Sequence, residues 1–547
     1  MNEGDHSNRI VLPQWLPSRR AAAMREAHEF SGNPPPVDYK LTLESFQDLL
    51  ASFRDTPSPF AAADLMGVAV VLGLQAEAKE LAECVLSEPI TGRAAQNQAE
   101  TILGRAQEPR DSDEREKIRL TKVRTTRFPR DAYAWIDQAR LYTILGQYPK
   151  ARRAVLIALR LAPTDRIIVR SAVRFFAHHG DWDDALFFAK EAYSKNPDPM
   201  LLGPLVSIGT QLDRIPVKVR PAAEAALKAE DRFLHSELLA AVGTLELLHG
   251  AHQRSKKFFK RAWQDPAKAV VSQSQWVLRE HLPGLASEQD IDFRQSAEAM
   301  SWLRFAVLDF KGALARAHEW VLEEPYSKAA HILTASTASL LDDYTTAAKA
   351  SDRGLQANPG DIILHNNLAF ARLRSGDLAG ALSAFEPIRA VLLEPDRIAE
   401  IATFGLLQMS SGDHAAGIAA YEMAIRRATE AREPKTALRA ALNLLISTSD
   451  ICHSVDMNLL RQATSQLRNS TQPDILGTAM SLARRLRRRE YPEPPDEGVV
   501  IEFVQAIREG AGKLLSSLFA ESVQKATGAE SPESEEAGTD ATRAKDL

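Results

Sequence analysis

The stretch Trp135–Pro163 reads WIDQARLYTILGQYPKARRAVLIALRLAP. Four of its residues, Gly146, Ala151, Ala158 and Pro163, have identical counterparts 34 positions on, at Gly180, Ala185, Ala192 and Pro197. Pro129 stands the same distance before Pro163, and Trp135 and Tyr142 are answered by the apolar Val169 and Phe176. Four identities in one register mark an internal repeat, and a period of this size belongs to stacked supersecondary units.

Working outward, the pattern returns. Phe310, Ala313 and Pro325 are followed one period later by Tyr344, Ala347 and Pro359, then by Leu378 and Ala381, with Gly376 and Phe385 in step. Gly412, Gly417, Tyr421 and Ala424 form a further copy displaced by two inserted residues. Gly250, Phe259 and Ala262 mark another. The stretches 198–235 and 267–293 have the length of a unit with weak signatures, and read as degenerate copies. Nowhere does a convincing two-residue alternation appear, so an all-α protein is expected.

These residues resemble the tetratricopeptide repeat, with Trp135–Pro163 the best match and Gln138 standing where the pattern has leucine. The resemblance covers 132–430 and is specific for fold while nearly silent on function. It implies units of two antiparallel helices stacked into a right-handed superhelical solenoid. The small Ala151 and Ala158 let the second helix lie close to the first. Gly146 suits a left-handed turn, and Pro163 stops the second helix. A single unit cannot bury its own apolar face, so neighbours must stack.

The chain has 547 residues, 45% apolar, with a formal charge of −5. That excludes a protein basic throughout, so any nucleic-acid contact needs a local patch. Two cysteines, Cys84 and Cys452, exclude a disulfide framework and a cysteine-rich zinc site. The N-terminal MNEGDHSNRIVLPQWLP lacks a signal-peptide pattern. The longest apolar run, Leu65–Leu74, is far short of the ~20 residues that span a bilayer. A cytoplasmic protein with no membrane contact is expected, and the Ala- and Arg-rich style suggests a bacterial source.

The flanks differ in character. Residues 1–39 read as an irregular arm punctuated by Pro13, Pro17 and Pro34–Pro36, with a short helix about 18–30. Residues 40–110 read as a helical cap of divergent repeats, with candidates Leu41–Phe53, Phe60–Leu74 and Ala76–Leu86. A charged linker helix spans 111–131; its basic residues between Arg115 and Arg130 make either a solvated helix or an anion-binding strip. Helices continue through 431–490, ending in Arg484, Arg485, Arg487, Arg488 and Arg489. These cations suit a helix C-terminus, or form a patch for RNA, DNA or an acidic protein. In 491–526 a proline linker leads to an amphipathic helix, on which Phe503, Ile507, Leu514 and Leu518 share one stripe. That helix covers the last repeat, docks a partner or self-associates through 500–518. The tail 527–547 is acidic and disordered by composition.

No catalytic signature emerges. There is no His-Glu-x-x-His pair, and His178-His179 are adjacent rather than one turn apart. Gly510-Ala-Gly-Lys513 lacks the spacing and the Ser or Thr of a phosphate loop. No enzyme activity, metal or cofactor is expected.

The resemblance places the groove on the first helix of each unit. Its positions here are Tyr133, Ile136, Arg140 and Thr143, then Ile167, Arg170, Arg174 and Ala177 with His178 adjoining. Converging Arg140, Arg170 and Arg174 suit a carboxylate-bearing or acidic ligand, or pair within the array, for instance with Asp137. Further on, Ile363, Asn366, Phe370 and Leu373, with Arg374 nearby, and then Ala399, Ala402, Leu406 and Met409 make an apolar wall. The chain's own helix at 500–518 suits it. The expected function is a scaffold or adaptor that binds proteins through this groove in a multicomponent complex, regulating a partner enzyme in one form. The alternative is a nucleic-acid-associated repeat protein using 115–130 and 484–489.

Overall fold

The computed structural model describes residues 10–18, 39–71, 74–87, 93–103, 111–215, 219–282, 291–394, 396–488 and 491–526. Among them every regular element is helical. The expected helix at 18–30, the tail 527–547 and Arg489 lie outside the described residues. The chain divides into two compact units, Leu12–Ala226 and the residues from Leu227 onward with Ile10 and Val11. The division falls inside the stretch 132–430.

In the first unit, α1 (Tyr39–Asp55), α2 (Pro59–Val71), α3 (Gln75–Ser87) and α4 (Arg93–Ile102) bury Phe46, Leu50, Met66, Leu81 and Val85 together. The charged α5 (Asp111–Arg127) leads into α6 (Ala132–Ile144), α7 (Tyr148–Leu161), α8 (Arg166–His178), α9 (Trp182–Lys195), α10 (Pro199–Gln211) and α11 (Val219–Ala226). α6 packs on α7 and α8 on α9, while α6, α8 and α10 also meet in sequence. The alanines predicted to admit close helix contact, Ala151, Ala158, Ala185 and Ala192, are buried. Gly146 and Gly180 take the left-handed turn at φ +63° and +77°, which a Cβ makes costly.

The second unit continues the theme with α12 (Arg232–Leu248), α13 (His252–Ala262), α14 (Lys268–Glu280), α15 (Ala297–Ala306), α16 (Phe310–Glu323), α17 (Lys328–Leu340), α18 (Tyr344–Ala357), α19 (Ile362–Arg374), α20 (Leu378–Phe385), α21 (Ile398–Ser410), α22 (His414–Glu430) and α23 (Pro434–Ser447). A π turn, Thr448–Cys452, separates α23 from α24 (Met457–Leu467), α25 (Pro473–Arg488) and α26 (Glu497–Ala526).

The helix starts show why the period is so regular. Asp131, Asp165, Asp198 and Asp231 recur 34, 33 and 33 residues apart, and each side chain accepts the N–H of a first-turn residue in α6, α8, α10 or α12. Asp309, Asp343, Asp377 and Asp413 do the same for α16, α18, α20 and α22. Each such cap satisfies an otherwise orphaned donor and is worth about 1 kcal/mol. The residue before each of the latter four, Leu308, Asp342, Gly376 and Gly412, has positive φ. The turn therefore keeps its left-handed residue even where glycine has been replaced.

Candidate functional site

The residues singled out on α6 and α8 lie along adjoining helices, and the structure gives several of them partners within the chain. The Tyr133 hydroxyl donates to Asp165, the cap of α8, at 2.7 Å. Burial first, and then this bond, push its pKa up. Arg140 Nε donates to the Trp15 carbonyl at 3.0 Å, and Arg170 donates to the Met200 carbonyl at 2.9 Å. Both guanidinium groups are buried. Both are thus engaged within the unit, and Arg140 also lies close enough to Asp137 to pull its pKa down against burial, which is the pairing within the array that the sequence offered beside an acidic ligand. Arg174 and His178 are half-buried on α8. Arg166, beside them, pairs with Asp198 at 2.7 Å with both side chains buried.

What occupies the wall is the segment Leu12–Ser18, which has no helix before Ser18. Pro13 and Pro17 fix φ and remove two N–H donors, so the segment cannot pair its own backbone. Trp15 is fully buried. Its indole stands edge-on to Phe175 with ring centres 5.9 Å apart. Tyr148 stacks on the same Phe175 at 5.8 Å, and His179 meets it at 4.8 Å. Burial holds the His179 imidazole below its usual pKa. At the far end, Ser18 donates both its N–H and its hydroxyl to Asp137, each at 2.6 Å. Burial pushes the Asp137 carboxyl up, against the Ser18 bonds and Arg140, which pull it down. Trp15, Ser18 and Phe175 were not singled out from the sequence. The signal that could have found them is PQWLPS itself, because a tryptophan between prolines cannot join a helix and still needs burial.

The second wall is also engaged. Arg374 pairs with Asp450 of the π turn at 3.1 Å and lies over the Phe370 ring at 5.2 Å. Its guanidinium also donates to Ser447. Asn366 is buried, and its Oδ1 accepts no hydrogen bond among the described residues. α25 then brings the arginines read as a basic patch. Arg484 and Arg485 both bind Asp342, at 2.6 and 2.8 Å, and Arg485 also reaches Asp450 at 3.1 Å. Ser481 donates to Asp342 at 2.7 Å. Burial alone would raise the Asp342 carboxyl, but hydrogen bonds from Ser481, Arg485 and Arg484 outweigh it and hold the pKa at about 2. Two of the five cations are therefore paired within the chain, Arg485 largely buried and Arg484 still 37% exposed, so at those positions the patch is not a set of open charges. Arg487 is exposed beside a cavity of about 650 Å³ lined by Leu486, Tyr491, Val500 and Ile501. Arg488 closes the helix.

The amphipathic stripe of α26 is spent inside the chain. Phe503, Ile507 and Leu514 are buried in one cluster with Leu442, Leu460, Leu476 and Leu482, and Leu518 packs at its edge. Gly510 lies so close to α24 that a Cβ there would meet the Leu467 carbonyl oxygen at 2.6 Å. The helix thus packs on α24 and α25, in a core that α23 shares. It does not take the wall of Ile363 and Phe370 that was expected for it; α25, beside it, ties to Asp342 in the turn after α17 and to the Tyr344 hydroxyl through Arg485.

On α5 and the turn that follows it, Arg115, Lys122, Arg127 and Arg130 are exposed, as are Leu120, Val123 and Phe128. Both cysteines are free thiols. Among the described residues no cluster of three or more His, Cys, Asp or Glu is placed to hold a metal, and no helix is long and apolar enough to cross a membrane.

No family model and no curated protein matches this chain. Among solved structures, 144 chains match. One is the APC/C hetero-tetramer Cut9-Hcn1, 14% identical, covering 92% of this chain and 98% of that one with a TM-score of 0.34. Another is yeast Tom70, also 14% identical, covering 76% of this chain and 93% of that one with a TM-score of 0.26.

Proposed function

We propose that this chain is a protein-binding scaffold of the tetratricopeptide type, whose helix walls hold segments of other proteins in a multicomponent assembly without covalent chemistry of their own. The observation that carries this reading is that the α6–α8 wall already holds a segment from outside the repeated pairs. α6 and α8 take the extended Leu12–Ser18, while the helix α25 rests on α17 and α23 and reaches Asp342 in the turn after α17. A surface of paired helices with buried polar anchors binds through a few side chains rather than through its whole area. The two free thiols suit a reducing compartment, and we place the scaffold in the cytoplasm.

The test is affinity purification of the full chain with quantitative mass spectrometry, run beside a Tyr133→Ala, Arg174→Glu variant of unchanged helicity. The scaffold reading expects a defined set of proteins whose recovery falls about tenfold or more in the variant. Equal recovery would remove the α6–α8 wall as the binding surface.

A second reading is favoured by the exposed Arg115, Lys122 and Arg127 on α5 and Arg130 just after it. A nucleic acid on this helix would be held through phosphates, and its affinity would drop steeply with salt. Filter binding at two salt concentrations decides it, since no retention at low salt ends that reading.

A further inference from the structure

We propose that Leu12–Ser18 is an internal ligand of the α6–α8 wall, displaced when a partner presents an extended apolar segment carrying a tryptophan and, three residues beyond it, a serine or threonine. The proposal rests on the scaffold reading and names the partner chemistry for its first wall.

The resident segment displays what the wall recognises. Its backbone is kept out of helix and sheet by Pro13 and Pro17, so its polar groups depend on side chains of the wall. Arg140 supplies a donor for the Trp15 carbonyl, and the two Asp137 oxygens take the N–H and hydroxyl of Ser18. The Trp15 ring fills a fully desolvated slot against Phe175, the kind of aromatic anchor that dominates binding energy. Asp137 sets the specificity. A buried carboxylate left without donors is costly, and an acidic segment brings repulsion in place of donors. The wall therefore selects an apolar, hydroxyl-bearing segment rather than the acidic one that the arginines alone suggest.

Exchange is possible because the wall does not depend on its occupant. Tyr133 to Asp165, Arg166 to Asp198 and Arg170 to Met200 tie the helices to one another without the segment. Ile136, Ala139, Ile168 and Ala172 are buried within the array. The resident competes at the high effective concentration of a tethered ligand, so a free competitor binds the intact chain weakly until the resident is removed.

The test uses a fluorescein-labelled peptide of residues 10–18, IVLPQWLPS, titrated by anisotropy into the full wild-type chain and into full-chain Trp15→Ala. The variant is expected to bind at least about tenfold more tightly than wild type, and a peptide with alanine for the tryptophan is expected to fail. A folded Trp15→Ala chain that binds no peptide, or that binds it no better than wild type, overturns the proposal. If that variant does not fold, hydrogen exchange of the wild-type chain carries the test: amides across 14–18 must exchange faster with excess peptide, and unchanged rates overturn it. A partner lost with the Tyr133→Ala, Arg174→Glu wall variant but accompanied by no peptide binding would sink the internal ligand alone. Equal partner recovery would instead remove the α6–α8 wall as the binding surface, and a chain that recovers no defined set of proteins would sink the scaffold reading.

Discussion

Two helix walls in this molecule each hold a guest from elsewhere in the chain, and they hold it differently. On α6 and α8 the guest is a short extended segment, fixed by one buried tryptophan and three hydrogen bonds. On α17 and α23 the guest is a full helix, α25, tied by Ser481, Arg484 and Arg485 to Asp342 and sharing a core with α23, α24 and α26. The first guest is accessory to a wall already built. The second is part of the unit's core, and removing its anchors leaves charges behind. The difference separates a binding surface from a structural joint, although both looked like open grooves in the sequence.

The sharpest way to break this comparison is Asp342→Ala. Arg485 would be left largely buried without its nearest carboxylate, keeping only that of Asp450 at 3.1 Å, and breaking such a pair costs about 3 kcal/mol. Urea unfolding of the full chain, followed at the transition of the second unit, should show that loss. The same carboxylate gives a pH signature. Its folded pKa of about 2 lies below the usual carboxylate value of ~3.9. The folded state therefore binds the proton less readily than the unfolded one. Its stabilisation is complete above about pH 4 and is lost as pH falls toward 2. Asp342→Asn should flatten that slope. An unchanged slope would mean that α25 is not held through this cluster.

Gly510→Ala tests the other face of the joint. The added Cβ would meet a backbone oxygen, not a movable side chain, so α26 must shift off α24 at a cost of about 2 kcal/mol. Trp15→Ala should do less. A fully buried tryptophan truncated in a fixed core costs about 3–5 kcal/mol. Here the segment comes away instead, so the loss is capped at what docking contributes, about 1.4 kcal/mol on the urea transition of the first unit, the equivalent of the tenfold change in peptide binding. A loss as large as that of Asp342→Ala would erase the distinction between the two guests.

Much of the repeat was legible because it is written in residues with one conformational job. Gly146, Ala158 and Pro163 each act locally, and their spacing survives any change of partner. The capping aspartates were equally periodic and went unread. Guests could not be read the same way. Arg140 and Arg485 look like open cations in sequence, because their partners, the Trp15 carbonyl and Asp342, lie over a hundred residues away. The stripe of Phe503 and Ile507 announced burial truthfully but not against which helices, since apolar surface carries no address.

The smallest effect probes the turn that both walls share. Arg432 is exposed at φ +58°, one of the left-handed positions not filled by glycine. Its backbone bears about 1–2 kcal/mol of left-handed cost. Glycine would remove that cost while adding about 0.4–1 kcal/mol of unfolded-state entropy, so Arg432→Gly should stabilise the second unit by about 0.5 kcal/mol. Asp342→Gly occupies the equivalent kind of turn, at φ +63°, and should relieve the same strain. It should nonetheless destabilise the unit, because the ion cluster is lost with the side chain. Opposite signs for one substitution at two left-handed turns would show that Asp342 is kept there for α25 and not for the turn; equal signs would show that the turn alone decides.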